Sequence, residues 1–282
     1  MDVKNGLLKS IESLDAISNE SWLLRLNDRK LEELEFHDAY RRRGAHSDPA
    51  IEGAGDTFEV LTGNKKYYST VDLSTKYIQS WIREKSHNKI VLDYACGDGK
   101  NAILAAESGA SLALGIDISR ESVVNARSDA SNKQLDNAFF VQSDAENTGL
   151  PSNTFDIIIC SGMLHHLDLN IAFPELERIL APNGIIFCIE ALDYNPIIKA
   201  YRLLTPKMRT KWEKSHILSL ADIKFAKKMF YVKNIKYWHI LSIAGVFFKP
   251  ALPFLNFLDK VLTKVWGLQL LSWMFTFELH KK

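Results

Sequence analysis

The sequence predicts an α/β protein built on a doubly wound, mostly parallel sheet of seven strands. Two observations carry this. From Lys89 onward, short apolar runs alternate with helix-length segments, the pattern of parallel strands buried on both faces and joined by crossover helices. The first of these runs ends in a glycine-rich turn that opens directly into a small-residue helix, as in nucleotide-binding α/β units. With 282 residues, 46% of them hydrophobic and 24% charged, the chain is long and apolar enough for such a core.

Residues 1–88 read as helices and loops. Asp28 to Arg43 places Asp28, Glu32, Glu33 and Glu35 early and its arginines late, in the order a helix dipole favours, and stops at Gly44. His46 to Gly63, rich in Gly, Asp and Pro, reads as a mobile loop. Asp72 is placed to cap a helix whose Leu73, Tyr77, Ile78, Trp81 and Ile82 form one stripe. Strands follow at Lys89–Asp93, Leu112–Asp117, Ala138–Gln142 and Phe155–Cys160, and at Ile185–Ile189 after the Pro182-Asn183-Gly184 turn. Helices are expected at Ala102–Ser108, Glu121–Lys133 and Ile171–Leu180. A helical insertion is expected from Asn195 to Phe230, then an apolar strand at Ile235–Phe248, an amphipathic helix at Phe254–Val265 and a last strand at Leu271–Leu279. In that last strand Trp273, Phe275, Phe277 and Leu279 alternate with Ser272, Met274, Thr276 and Glu278, a period of two that predicts one buried face. The right-handed crossover rule gathers the strand C-termini at one edge, where ligands bind.

Composition narrows the function. A net charge of +1 argues against a bulk electrostatic nucleic-acid binder. Cys96, Cys160 and Cys188 lack metal or redox spacing and read as reduced thiols. No apolar targeting region follows Met1, and the apolar C-terminal stretch is broken by Lys249, Pro250 and Pro253, so a cytoplasmic protein without a membrane span is expected.

The turn Asp93-Tyr94-Ala95-Cys96-Gly97-Asp98-Gly99-Lys100-Asn101-Ala102 carries the chemistry. Gly97-x-Gly99-x-x-Ala102 fits a loose dinucleotide fingerprint, and Asp117, twenty residues beyond Gly97, is placed to grip ribose hydroxyls. A phosphate-binding P-loop fails, because Tyr94 stands at its first glycine and Asn101 at its Ser/Thr. Charge separates the remaining ligands. Asp93 and Asp98 would repel a pyrophosphate and attract a cationic sulfonium and ammonium, which points to S-adenosylmethionine (SAM). An NAD(P)-binding oxidoreductase and a SAM-binding module without catalysis stay open at this level.

Residues from Ile90 to about Glu190 resemble the class I SAM-dependent methyltransferases, in particular the small-molecule branch near ubiquinone and menaquinone biosynthesis. The first motif appears as Asp93-x-Ala95-x-Gly97-x-Gly99, with Ala for its first glycine. Asp144-Ala145, Leu150-Pro151, Phe155-Asp156 and Pro182-Asn183-Gly184 follow in family order. The resemblance implies a Rossmann-like fold, SAM as methyl donor and S-adenosylhomocysteine as product. It assigns Asp93, Ala95, Gly97 and Gly99 to the cofactor turn, Asp117 with Ile118 to the ribose side, and Asp144 with Ala145 to the adenine. Cys160 and the segment after it, ending in Leu164-His165-His166, line the cofactor near the methyl group. His165 or His166, the latter by analogy, is the candidate general base; capping or shaping the pocket is the alternative for either, and methyl transfer can proceed by positioning alone. Glu190 ends the fifth strand at the same edge. Tyr68, with Tyr67, is placed in an N-terminal lid (1–88) over a methyltransferase domain (89–282) carrying a helical cap (194–232), with packing on the core as the alternative for both tyrosines. In the cap, Asn195-Pro196, Tyr201-Arg202, Thr205-Pro206 and Arg209 are candidates for an anionic acceptor, with a solvated helix face as the alternative. Cys160-Ser161-Gly162-Met163 lacks the Asn/Asp-Pro-Pro-aromatic signature of DNA amino-methylating relatives. The acceptor is expected to be a small molecule, lipophilic or aromatic, because Trp238, Ile240, Leu241, Phe247, Phe248 and the Leu252–Leu258 stretch exceed what a sheet edge needs. The same residues can also make a shallow membrane contact. No metal is implied.

Overall fold

A computed structural model describes residues 3–41, 65–205, 210–213 and 216–282. The loop expected at His46–Gly63 and the candidate Arg209 lie outside the described residues. Seven strands, β1 (Ile90–Tyr94), β2 (Leu112–Asp117), β3 (Ala138–Gln142), β4 (Phe155–Ser161), β5 (Leu180–Ala191), β6 (Phe230–Trp238) and β7 (Met274–Lys281), form one sheet in the order β3-β2-β1-β4-β5-β7-β6. β7 alone runs opposite to the other six strands, pairing antiparallel with β5 and β6. This is the α/β, mostly parallel, seven-stranded fold class that the sequence predicts.

The helices are α1 (Val3–Asp15), α2 (Asn19–Leu23), α3 (Asp28–Arg41), α4 (Lys65–Tyr68), α5 (Asp72–Ser86), α6 (Lys100–Glu107), α7 (Arg120–Asn132), α8 (Leu169–Ile179), α9 (Pro196–Leu204), α10 (Leu220–Ala226) and α11 (Leu252–Leu262). Alternate strand residues feed two apolar layers. Leu92, Leu114, Ile158 and Ile186 pack with Leu7 and Ile11 of α1 and Phe173 of α8, while Val91, Ala113 and Ile159 pack with Trp81 and Ile82 of α5. No helix among the described residues is long and apolar enough to cross a membrane.

The C-terminal third departs from the expected pattern in three places. The sixth strand covers Phe230–Trp238 rather than Ile235–Phe248. His239 adopts a left-handed φ of +66° and ends it, and Asn234 at +52° marks the bulge between Lys233 and Lys236. Residues 242–246 and 249–251 form short 3-10 turns instead of strand. The expected half-buried last strand is buried on both faces: Phe275, Phe277 and Leu279 join the core on one, and Thr276 and Glu278 are covered on the other. Its polar face is satisfied internally: Trp81 Nε1 donates to Glu278 at 2.9 Å and Trp238 Nε1 to Thr276 at 3.1 Å. At the start of α5, Asp72 sits in the first turn and Val71 at the cap position, so the aspartate supports the dipole without a side-chain cap bond.

Candidate active site

The strand-turn-helix from β1 to α6 builds the cofactor turn. Gly97 and Gly99 take φ values of +52° and +73°, and a Cβ on Gly99 would lie 2.5 Å from Phe140 Cε1. Ala95, at the family's first glycine, is held at φ +57°. A left-handed L-residue costs roughly 1–2 kcal/mol, partly offset by the restricted unfolded state of alanine. Ala95→Gly is therefore expected to raise stability by up to about 1 kcal/mol, read as a higher urea midpoint.

Asp117 ends β2 with its carboxylate splayed between two backbone donors. Oδ2 accepts from Gly97 N at 2.8 Å and Oδ1 from Ser119 N at 2.9 Å. Each oxygen keeps a lone pair for a further donor. Asp93 is different: it is fully inside the fold, accepting from Asn101 Nδ2 at 3.3 Å and Ala102 N at 3.2 Å. Burial pushes its pKa up to about 7, against the bonds from Asn101 and Ala102. Asp93 therefore ties β1 to the start of α6 and carries only part of a charge at neutral pH. The electrostatic case against a pyrophosphate is weaker here than the sequence suggests.

The remaining predicted cofactor residues divide. Ala145 is buried behind β3, where its carbonyl accepts from Tyr94 Oη. Asp144 accepts from Glu146 N through Oδ1 at 2.9 Å and from Lys30 Nζ through Oδ2 at 2.6 Å. Ile118 packs on the apolar cluster of Trp22, Leu26 and Leu34. Cys160 is fully buried with Tyr94 and Cys188 in the core, so its thiol is a packing group. Cys96 is half-buried, unlike the two core thiols. Tyr68 is exposed on α4 with its ring 5.5 Å from that of Trp273, beside the end of β5.

Two carboxylate–imidazole pairs stand side by side beyond β4. Glu190, buried at the end of β5, accepts from Met163 N at 2.9 Å and Leu164 N at 2.7 Å through Oε1, and its Oε2 lies 2.7 Å from His165 Nδ1. Glu33 of α3 places Oε2 at 2.9 Å from His166 Nδ1. The two rings are 4.3 Å apart. Burial pushes the Glu33 carboxyl up, but bonds to His166, His37 and Thr210 outweigh it and hold the group well below the carboxylate range. His165 moves upward: burial opposes its charge, and the Glu190 carboxylate more than compensates. His166 moves downward, because burial and the charge of His165 exceed the pull of Glu33. The neighbours are thus driven apart, one toward imidazolium and one toward neutral imidazole. Glu33, His37 and His166 also offer ligand atoms within 4.8 Å of one another. The hydrogen bonds to Glu33 account for this arrangement without a cation.

Helix α3 supplies groups that sequence spacing does not reveal. Arg29 donates to the His166 carbonyl at 2.8 Å and to Glu146 at 2.6 Å, Lys30 reaches Asp144 and Glu146, and Ser119 donates to Asp38. The helix therefore bridges the loops after β2, β3 and β4. The acid-rich first turns of α3 were legible, but their partners lie more than eighty residues away.

The family profile described as "Methyltransferase domain" matches residues 92–188. YqeM of Bacillus subtilis, named as a methyltransferase, is 31% identical over 140 residues, covering 48% of this chain and 53% of that protein. YcgJ of the same organism, also named as a methyltransferase, is 28% identical over 156 residues, covering 53% of this chain and 60% of that one. The chain thus spans little more than half the length of these curated relatives. Among solved structures, geranyl diphosphate C-methyltransferase from Streptomyces coelicolor A3(2), in complex with Mg2+, geranyl diphosphate and S-adenosyl-L-homocysteine, superposes with a TM-score of 0.61. That alignment covers 91% of this chain and 99% of that one at 13% identity, and so speaks to the fold. Residues 92–188 therefore match a methyltransferase domain, set on a seven-stranded α/β sheet of the Rossmann-like class.

Proposed function

We propose that the chain is a cytoplasmic enzyme that transfers the methyl group of SAM to a small-molecule acceptor of lipophilic or aromatic type, such as a natural-product, quinone-like or isoprenoid compound. The observation that carries this reading is the divergent pair His165 and His166 at the mouth of β4, on the same sheet edge as Asp117 and the glycine turn. The donor set fits the cofactor: two carboxylate oxygens of Asp117 with spare lone pairs suit the two hydroxyls of a ribose. Gly97 puts no side chain on the turn, Gly99 lets the turn close on Phe140, and Asp144 with Ala145 is read as the adenine side. When bound, the cofactor supplies an electrophilic methyl on a sulfonium.

The protein's own part is to hold the acceptor and move a proton. A carboxylate at Nδ1 can only accept, so His166 carries its hydrogen on Nδ1 and keeps its basic lone pair on Nε2. His166 is then the base, and Glu33 fixes its tautomer and orientation. His165, drawn toward its charged form by Glu190, is the poorer proton acceptor of the two and lowers the basicity of its neighbour. Helix α3 acts as a lid, and α9 with α10 forms a cap. Tyr67 packs on Tyr201, with ring centres 5.9 Å apart, adding aromatic surface beside the site. The antiparallel β7 inserted between β5 and β6 differs from the open dinucleotide-binding order, which disfavours the NAD(P) reading.

Asp117→Ala is expected to weaken SAM binding by about 1–3 kcal/mol, with Asp117→Asn milder because it keeps one acceptor oxygen. Calorimetry checks this. Heat with NAD and none with SAM would overturn the proposal. Release of S-adenosylhomocysteine only in the presence of an acceptor separates an enzyme from a binding module.

A further inference from the structure

The segment between β6 and β7 leaves an aromatic face turned to solvent. Phe247, Phe248, Phe254, Phe257 and Trp266 are between 62% and 90% exposed. Phe254, Phe257 and Val261 lie at helical spacing along one side of α11. Phe247 and Phe248, expected in a sixth strand or a pocket wall, lie beyond the end of β6, while Phe254 and Phe257, expected on an amphipathic helix or a pocket wall, lie on α11. An exposed apolar patch of this kind marks a docking surface.

Charge identifies the occupant. Between Ile240 and Ser272 the sequence holds three lysines, Lys249, Lys260 and Lys264, and a single acid, Asp259. The lysines are exposed. Asp259 is buried and spent on the backbone, accepting from Leu241 N at 2.8 Å and Ser242 N at 3.0 Å. The outer surface of this segment is therefore aromatic and basic with no exposed acid, the chemistry of a helix lying in the headgroup zone of an anionic bilayer. A second copy of the face would set lysines against lysines. The position also fits. Leu192 N donates to the Trp273 carbonyl and Trp273 N to that of His239, both at 2.9 Å, so the segment springs from the ligand edge of β5.

We propose that α11 and the 247–249 turn dock the protein on an anionic phospholipid surface as a peripheral, in-plane contact. The segment leaves the same sheet edge as the proposed site, so docking would bring a bilayer-dissolved acceptor to the edge that carries His166. That last step rests on the proposed methyl transfer; the docking itself does not.

The test is cosedimentation of the full chain with vesicles of phosphatidylcholine alone and of equal parts phosphatidylcholine and phosphatidylglycerol. Binding is expected to the anionic vesicles, weaker to the neutral ones, and reduced by salt. Each lysine changed to glutamine should lower it about fivefold. Phe254→Ser with Phe257→Ser should lower it at least tenfold while SAM heat and circular dichroism stay unchanged. No binding to either vesicle, or binding indifferent to the Phe pair, overturns the proposal. So does a dimer that ignores vesicles and becomes monomeric in that variant, which would make a second copy the occupant. Failure of SAM binding in the wild type sinks the methyl-transfer reading and leaves this result standing.

Discussion

Replacing His166 with alanine is expected to cut turnover by roughly 10²–10⁴-fold while leaving SAM affinity within about twofold. The expectation follows from a neutral imidazole whose Nδ1 is locked on Glu33 at 2.9 Å. Its titration is displaced downward by burial and by charged His165. The active form is the deprotonated one, so the wild-type rate should climb with pH through a midpoint below the ordinary imidazole value. It should then be level around neutrality. The alanine variant should lose that step. A loss of less than about fivefold, with the step retained, would reduce His166 to a packing residue.

Glu190→Ala is expected to produce the largest stability loss of any substitution considered, about 3–5 kcal/mol. It strips the acceptor from Met163 N and Leu164 N and leaves His165 buried without its counter-charge. Denaturant unfolding measures the loss. Glu190→Gln keeps one acceptor oxygen and removes the charge, so the fold should survive and the His165 titration should fall, visible by NMR. The sign follows from linkage. His165 has a raised folded pKa, so its pairing stabilises fully below the unfolded imidazole value and fades as pH rises through the folded one. The stability gap between wild type and Glu190→Gln should therefore be widest in acid and narrow above that range. A gap that widens with rising pH would contradict the assignment of charge to His165.

The parallel half of the sheet was legible because its signals are local. A strand, a glycine turn and an acid at the next strand end lie within thirty residues, and each step has a steric or electrostatic reason. The Leu164-His165-His166 triplet was visible for the same reason. Glu33, Lys30 and Arg29 were not, because a charged side chain in a helix reads as a solvated face unless its distant partner is known. Asp93 shows a subtler limit: its residue type and position suggested a ligand group, yet only the fold reveals that both oxygens are turned to the start of α6. In the C-terminal third, apolar density stood in for burial and misled. Phe247 and Phe254 are as apolar as Phe275 and Phe277, but β7 gains two strand neighbours while α11 has an uncovered side. The antiparallel insertion of β7 depends on long-range pairing that no local pattern encodes.

Helix α3 has a kinetic consequence. It is fastened to Ser119, Asp144, Glu146 and His166 at once, so any opening that admits a nucleoside to the ends of β2 and β3 also draws Glu33 away from His166. On the proposed reading, loading of the donor and orientation of His166 are coupled through this one helix. Weakening the clasp residues would then change product release before it changes the transfer step.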